Sequence, residues 1–216
     1  MGLFDKLFKR KKMQYELVRD ENGKHQIGGD LPKDFIIPNN EFIAGFQYLG
    51  FIDNSDTLFS WLPFKVNLIH PIYTDEYSVF LDYTNPDSPT IIDPLDTSAS
   101  TSAFDEIDKN SKIIFECVKV SAEEKEEIDE SESIGICGKP EWLQVDETPT
   151  CPKSGRRMKF LCQLGSFGEI KSTFSNVEPS KGMEEYFEKL NFWCDGNLYI
   201  FIEPTSRTMC YSMQHT

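Results

Sequence analysis

From Tyr15 onward the apolar positions of this chain recur mostly every second residue, the period of a strand with one face buried. Residues 15–19 (YELVR) predict a first strand, ended by the turn residues Asp20, Glu21, Asn22 and Gly23. Residues 27–32 (IGGDLP) predict a tight turn, and 35–38 (FIIP) an extended segment. In 42–52 (FIAGFQYLGFI) a buried strand is expected, with Gly45 and Gly50 marking bulges or close approach. Residues 65–73 and 76–84 read as a hairpin about Thr74 and Asp75. Residues 112–120 (KIIFECVKV) read as one continuous strand, 169–174 as another, and 198–203 with 207–213 as a closing pair. Helical spacing is rare. It places Met183, Tyr186, Phe187 and Leu190 on one face of 179–190, with Ser180 as a candidate cap, and suggests one turn at 103–108. Roughly ten strands against one clear helix predict a β-rich α+β fold with few helices.

The two halves can be laid on each other. Gly28, Gly29, Leu31 and Pro32 match the turn at Cys137, Gly138 and Pro140; Leu49-Gly50 matches Leu164-Gly165; and the strand around Phe80 matches the one around Phe201. This order predicts two pseudo-repeated antiparallel sheet units packed as one globular body. The expected boundaries are an N-terminal helix at 1–12, a first half at 13–120, an acidic connector at 121–134 and a second half at 135–216.

Charge sharpens the picture. Residues 1–12 (MGLFDKLFKRKK) carry five Lys/Arg against one Asp, a net of +4, so the other 204 residues carry −18 of the total −14. Leu3, Phe4, Leu7 and Phe8 share a face, so this short basic amphipathic helix either docks locally or touches an anionic membrane surface, the latter being the weaker reading. A body this acidic repels nucleic acid and anionic membrane. It favours a cationic partner, a basic protein, a basic peptide or a metal ion, unless the acidity serves only to keep the protein soluble. The run 121–133 is a solvated connector or a docking strip for such a partner. Six cysteines without a C-x-x-C pair, and no apolar leader, suggest free thiols in a cytoplasmic setting.

Catalysis needs a nucleophile or an acid–base pair held in geometry. His25, His70 and His215 are scattered, and no G-x-S-x-G, P-loop or dinucleotide fingerprint is present. His70, in an apolar run, reads as a hydrogen-bonded core histidine. Cys137, beside glycines, is a candidate exposed nucleophile with no basic neighbour in sequence. Gln144 and Gln163 stand out as amides in segments read as buried, where an unpaired amide costs about 1–3 kcal/mol. Either each ties down a neighbouring loop, or they line a groove with Trp142 and Asp146 that holds a peptide. Trp142, Gln144, Asp146 and Gln163 are therefore the candidate binding residues; no catalytic residue, metal ligand or cofactor is assigned.

Gly138, Pro140, Trp142-Leu143-Gln144, Asp146-Glu147, Pro149, Cys151-Pro152, Gly155, Met158, Phe160-Leu161 and Gln163 occur in an order that resembles the YwqG-like family, chiefly bacterial. Asp195, Gly196, Leu198, Tyr199 and Phe201 extend the likeness over about 135–213, and the first half is similar more loosely. The resemblance implies a duplicated β-rich fold and brings no established catalytic activity with it. The second half also looks like the C-terminal domain of programmed cell death protein 2, whose relatives are chaperones for a basic ribosomal protein. Where that domain has a zinc knuckle, this chain has Cys151 followed by Ser154, and Glu203 in place of a later cysteine. Cys151 thus reads as the relic of a zinc knuckle, since serine is a poor zinc ligand. The expected function is a non-catalytic binding protein that shields a basic partner, in the manner of a chaperone or a toxin-immunity protein. A small-molecule hydrolase or transferase, with a site assembled from distant residues, is the alternative.

Overall fold

The computed structural model describes residues 14–38, 45–71, 78–92, 106–128, 133–166, 168–192 and 196–215. The expected N-terminal helix, the start of the 42–52 strand, the turn at Thr74 and Asp75, the first half of the turn at 103–108 and Cys194 lie outside the described residues.

The first half contributes β1 (Gln14–Arg19), β2 (His25–Ile27), β3 (Gln47–Ile52), β4 (Val66–His70), β5 (Ser78–Asp82) and β6 (Thr90–Ile91). Then come β7 (Ile113–Phe115), β8 (Val118–Lys125), β9 (Gly135–Cys137), β10 (Lys159–Gly165), β11 (Ser172–Ser175), β12 (Asn197–Glu203) and β13 (Thr208–Gln214). Eleven strands form one sheet in the order β4-β3-β2-β8-β1-β9-β10-β12-β13-β5-β6, and β7 pairs with β11 apart from it. Among the described residues the one α-helix is the four-residue α1 (Glu185–Glu188), so the fold is β-rich with almost no helix, in a single globular body.

The strand order carries a pseudo-two-fold. Exchanging β1 with β8, β2 with β9, β3 with β10 and β4 with β12 turns the run from β4 to β12 into its own reverse. The register obeys the same rule. Tyr15 faces Cys137 as Val118 faces Ile27, and the axis falls on the facing pair Val18 and Ser121. Ile27 and Cys137 each lead into a glycine with positive φ, Gly28 at 68° and Gly138 at 86°. The ladder slips between Tyr48 and Gly50 on one side and between Phe160 and Cys162 on the other, so both halves carry a bulge at one position. Each half lends its first strand to the other: β1 pairs with β9, and β8 with β2.

This register corrects the sequence alignment of the halves. Leu49 corresponds to Leu161, not Leu164, and β12 corresponds to β4, not to the strand of Phe80. The two Leu-Gly pairs are chemically alike, but backbone pairing decides equivalence.

Four further expectations change. The predicted hairpin of β4 and β5 does not form, because β4 pairs with β3 while β5 pairs with β13 and β6. The 112–120 strand breaks at Glu116 and Cys117. There Gly29 N–H donates to Phe115 O (2.9 Å) and Glu116 N–H to Lys171 O (2.7 Å), so the chain switches sheets. The acidic run begins in ordered structure, since 121–125 continue β8 opposite β1. The 179–190 helix shrinks to α1, because Gly182 takes a φ of 90° and Asn191 Nδ2 donates to Tyr186 O (2.6 Å). Ser180 does not cap it; its amide donates to the Glu106 carboxylate instead (3.0 Å).

The sheet is buried on both faces where it matters most for a site. All seven residues of β12 and of β13 are buried. Leu198, Ile200, Ile202, Met209, Tyr211 and Met213 join the main core. On the opposite face Tyr199, Phe201 and Cys210 form a second core with Cys151 and Met158, walled by Phe80, Trp142 and Phe160. The segment 139–158 covers that outer face and builds the candidate site.

Candidate functional site

After β9 the chain turns at Gly138 and lays 139–148 across β10, β12 and β13. Three buried polar side chains of those strands hold it there. Gln163 Oε1 accepts from Glu141 N–H (2.9 Å). The Tyr199 hydroxyl donates to Glu141 O (2.6 Å) and accepts from Leu143 N–H (3.0 Å). Gln214 Oε1 accepts from Gln144 N–H (3.2 Å), while its Nε2 donates to Val145 O (2.9 Å) and Glu147 Oε2 (3.1 Å). An irregular segment cannot satisfy its own backbone, so these side chains act as its missing strand. Gln163 performs the loop-tying role expected of it. Gln214 and Tyr199 share that role and were missed, because a glutamine and a tyrosine in an alternating strand carry no local signal of what they face.

Trp142 is half-buried, stacked on Tyr199 with centroids 4.6 Å apart and on Phe201 at 5.9 Å. Such stacking adds about 0.5–1.5 kcal/mol beyond area burial. Beside it opens a cleft of about 880 Å³, lined by Gly138–Trp142 on one wall, Arg157–Phe160 on the other, and Asp146 and Thr148 at the rim. Of the four predicted binding residues, Trp142 and Asp146 line this cleft. Gln163 sits beneath the loop and does not. Gln144 is exposed and outside the cleft, its amide donating to His215 O (2.7 Å), which corrects its reading as a buried strand residue.

Charges of both signs meet here. Asp146 accepts from the Thr148 hydroxyl (2.6 Å) and amide (3.0 Å), which with Arg157 hold its carboxyl below the ordinary range. Arg157 Nη2 lies 3.2 and 3.3 Å from the two Asp146 oxygens, and Lys139 lies 3.5 Å from Glu141. Glu141 also accepts from Gln14 Nε2 at the start of β1. Lys159 Nζ stands 3.4 Å over the Trp61 ring, and partial desolvation there lowers its pKa.

The Cys151 knuckle supports the cleft from below. Cys151 N–H donates to Arg156 O (2.8 Å), Gly155 N–H to Cys151 O (2.8 Å) and Met158 N–H to Pro149 O (2.9 Å). The Cys151 sulfur lies 3.4 Å from Ser206 Oγ, itself 3.0 Å from Thr208 Oγ1. Burial raises this thiol, but the hydroxyls of Ser154, Ser206 and Thr208 outweigh it and bring the pKa to about 7. Glu203, nearly buried, accepts from Ser206 N–H (2.7 Å) and pairs with Arg156 (3.3 Å). The Ser206 hydroxyl and the 205–206 amides pull it down to about 2 against its burial. Hydroxyls and amides close the knuckle where a zinc knuckle uses thiolates. Among the described residues no group of three or more His, Cys, Asp or Glu is placed to hold a metal.

Other sequence candidates disperse. Cys137 is buried, its thiol pushed up by desolvation, so it is no exposed nucleophile. His25 is buried, accepting from Asp53 N–H (3.1 Å) through Nδ1. His70 is buried with neither ring nitrogen hydrogen-bonded, unlike the bonded core histidine expected. Among the described residues no helix is long and apolar enough to cross a membrane.

No family model, no curated protein and no solved structure matches this chain.

Proposed function

We propose that this is a non-catalytic binding protein whose cleft receives a basic segment of a partner protein. The observation that carries this reading is Trp142, stacked on Tyr199, in a cleft whose lining holds the carboxylates of Glu141 and Asp146 beside the cations Lys139, Arg157 and Lys159. A planar guanidinium stacks on an indole face and pairs with a flanking carboxylate. The carboxylates already hold cations of this kind, Arg157 and Lys139, through exposed pairs worth about 0–1 kcal/mol each, which an incoming Arg or Lys displaces at little cost. Beyond the cleft the body's net charge favours encounter with a basic surface. Shielding of a basic protein, chaperone-like or immunity-like, fits this chemistry, as does the resemblance to the YwqG-like family. A cytoplasmic setting belongs with the same reading, since the described cysteines are unpaired.

The test is titration of an arginine-rich peptide, followed by the change in tryptophan emission, at low salt and at about 0.5 M salt. Binding that weakens steeply with salt and is abolished in Trp142→Ala supports the reading. Equal affinity for an acidic peptide of the same length would rule it out.

A further inference from the structure

Cys137 and Cys162 face each other directly across the β9–β10 ladder. In the same register Gly165 N–H donates to Ile134 O (3.2 Å), which makes those two residues a hydrogen-bonded pair. The two kinds of pair alternate along an antiparallel ladder, so Ile136 with Gln163 is hydrogen-bonded and Cys137 with Cys162 is not. A pair of the second kind brings its Cα atoms to about 4.5 Å, inside the roughly 4.4–6.8 Å that a disulfide spans. Both side chains turn to the same face, each fully buried in the main core beside Leu164. Burial raises both thiols, and Cys162 raises Cys137 further, as a close neighbour does.

The fold does not require sulfur at this place. By the pseudo-two-fold Cys137 corresponds to Ile27 and Cys162 to Gly50, and those two face each other across β2 and β3. The first half fills the position with one large side chain opposite none, the second with two thiols in reach of each other. What lies between the cysteines gives the pair its consequence. Residues 138–161 run from one to the other, and every residue that lines the cleft belongs to that span, from Gly138 to Phe160. The Cys151 knuckle beneath the cleft lies within it as well.

We infer that Cys137 and Cys162 are a redox pair whose disulfide closes the cleft-building segment into a covalent ring. In a reducing setting both remain thiols; a low-molecular-weight disulfide such as oxidised glutathione joins them. The Cys137 thiolate attacks one sulfur of the small disulfide and releases one small thiol. The Cys162 thiolate then attacks the Cys137 sulfur of the mixed disulfide and releases the second. The two cysteine protons leave on the two small thiols, and the two electrons given up by the cysteines reduce the small disulfide. Burial sets the rate, because exchange waits on the opening of β9, a strand of only three residues. The ring forms whatever the cleft receives, since it depends only on the span that builds the cleft.

The test holds the full-length protein in oxidised glutathione just below its unfolding midpoint and blocks the remaining thiols with iodoacetamide. Trypsin and a glutamate-specific protease then cut it without reduction. Peptides 133–141 and 160–169, joined and lighter than their sum by two hydrogen atoms, are the expected product. The same peptides recovered as blocked thiols, while the exposed Cys117 carries glutathione, overturn the inference. So does Cys137 joined to any other partner, Cys117 and Cys151 included. The joined protein should unfold about 5 °C or more above the reduced one, and Cys162→Ala treated alike should show no rise. A joined protein with an unchanged midpoint, or an equal rise in Cys162→Ala, overturns the clamping of the cleft segment.

Discussion

The hydroxyls of Tyr83 and Tyr211 lie 3.2 Å apart in the core and together cap the open edge of β4. Tyr83 donates to Asn67 O (2.7 Å), and Tyr211 accepts from Ile69 N–H (3.5 Å). Since the Tyr83 proton is committed to Asn67, Tyr211 donates to Tyr83, and a single line of hydrogen bonds joins two backbone groups that a neighbouring strand would otherwise satisfy. β4 ends the sheet on one side, while Tyr211 belongs to β13 near the other. The sheet is drawn round until its ends meet through side chains.

Tyr83→Phe is therefore expected to leave Asn67 O unpaired and to cost about 1–3 kcal/mol, with Tyr211→Phe similar through Ile69 N–H. The double variant should cost less than the sum, because both act on one line. Urea unfolding of the three variants measures this; strict additivity would show that the hydroxyls act separately.

His70 makes stability depend on pH. Its burial lowers its pKa from 6.5 to about 3 in the folded state. Between those values the unfolded chain binds a proton that the folded chain refuses, so stability falls as pH drops below about 6.5, by up to about 1.4 kcal/mol per unit. Above 6.5 the contribution is complete. His25 is also lowered, chiefly by burial, so the whole protein weakens in acid in the same direction. His70→Leu should flatten the profile and stabilise the protein near pH 5, because it removes a buried imidazole with no hydrogen bond. An unchanged slope in the variant would contradict the assignment.

The two glutamines first singled out should separate. Gln163→Leu strands Glu141 N–H and should cost about 1–3 kcal/mol while loosening Trp142. Gln144→Ala, at an exposed side chain, should stay within about 0.5 kcal/mol. Thermal unfolding and acrylamide quenching of tryptophan emission would distinguish them.

Gly50 and Gly155 both have positive φ, at 110° and 68°, but only one is crowded. A Cβ at Gly50 would stand 2.0 Å from Gln26 O, whereas at Gly155 it meets nothing within 4 Å. Gly155→Ala should cost about 1–2 kcal/mol from conformation alone. Gly50→Ala must also push β2 from β3 and should cost clearly more, read from the denaturation midpoint or the soluble yield.

The Cys151 knuckle is closed by hydroxyls and amides, so a strong chelator should leave the unfolding midpoint unchanged. A fall of several degrees would reveal a metal contribution there.

Much of the site was visible in the residues, but not its support. Trp142 and Asp146 were marked by their types, and both line the cleft. Gln214 and Tyr199, which pin the same loop, read only as members of an alternating strand. Lys159 gained meaning only when the loop of Trp61 came to lie beneath its ammonium. The repeat was legible as an order of turns, yet its alignment was three residues off until the paired bulges fixed it.

By itself the sequence determined where strands form and which side chains turn inward, because the two-residue period is a local property of the backbone. It also determined the tight glycine turns and the division of charge between the first twelve residues and the rest. Which strands pair was decided only in the tertiary structure. β4 and β5 are neighbours in sequence and would make a sound hairpin by local rules. They separate because β5 finds the edge of β13, while two tyrosine hydroxyls satisfy the open edge of β4. Backbone hydrogen bonds are alike whatever the residue, so pairing is chosen by the packing of distant side chains, and no local pattern records that choice.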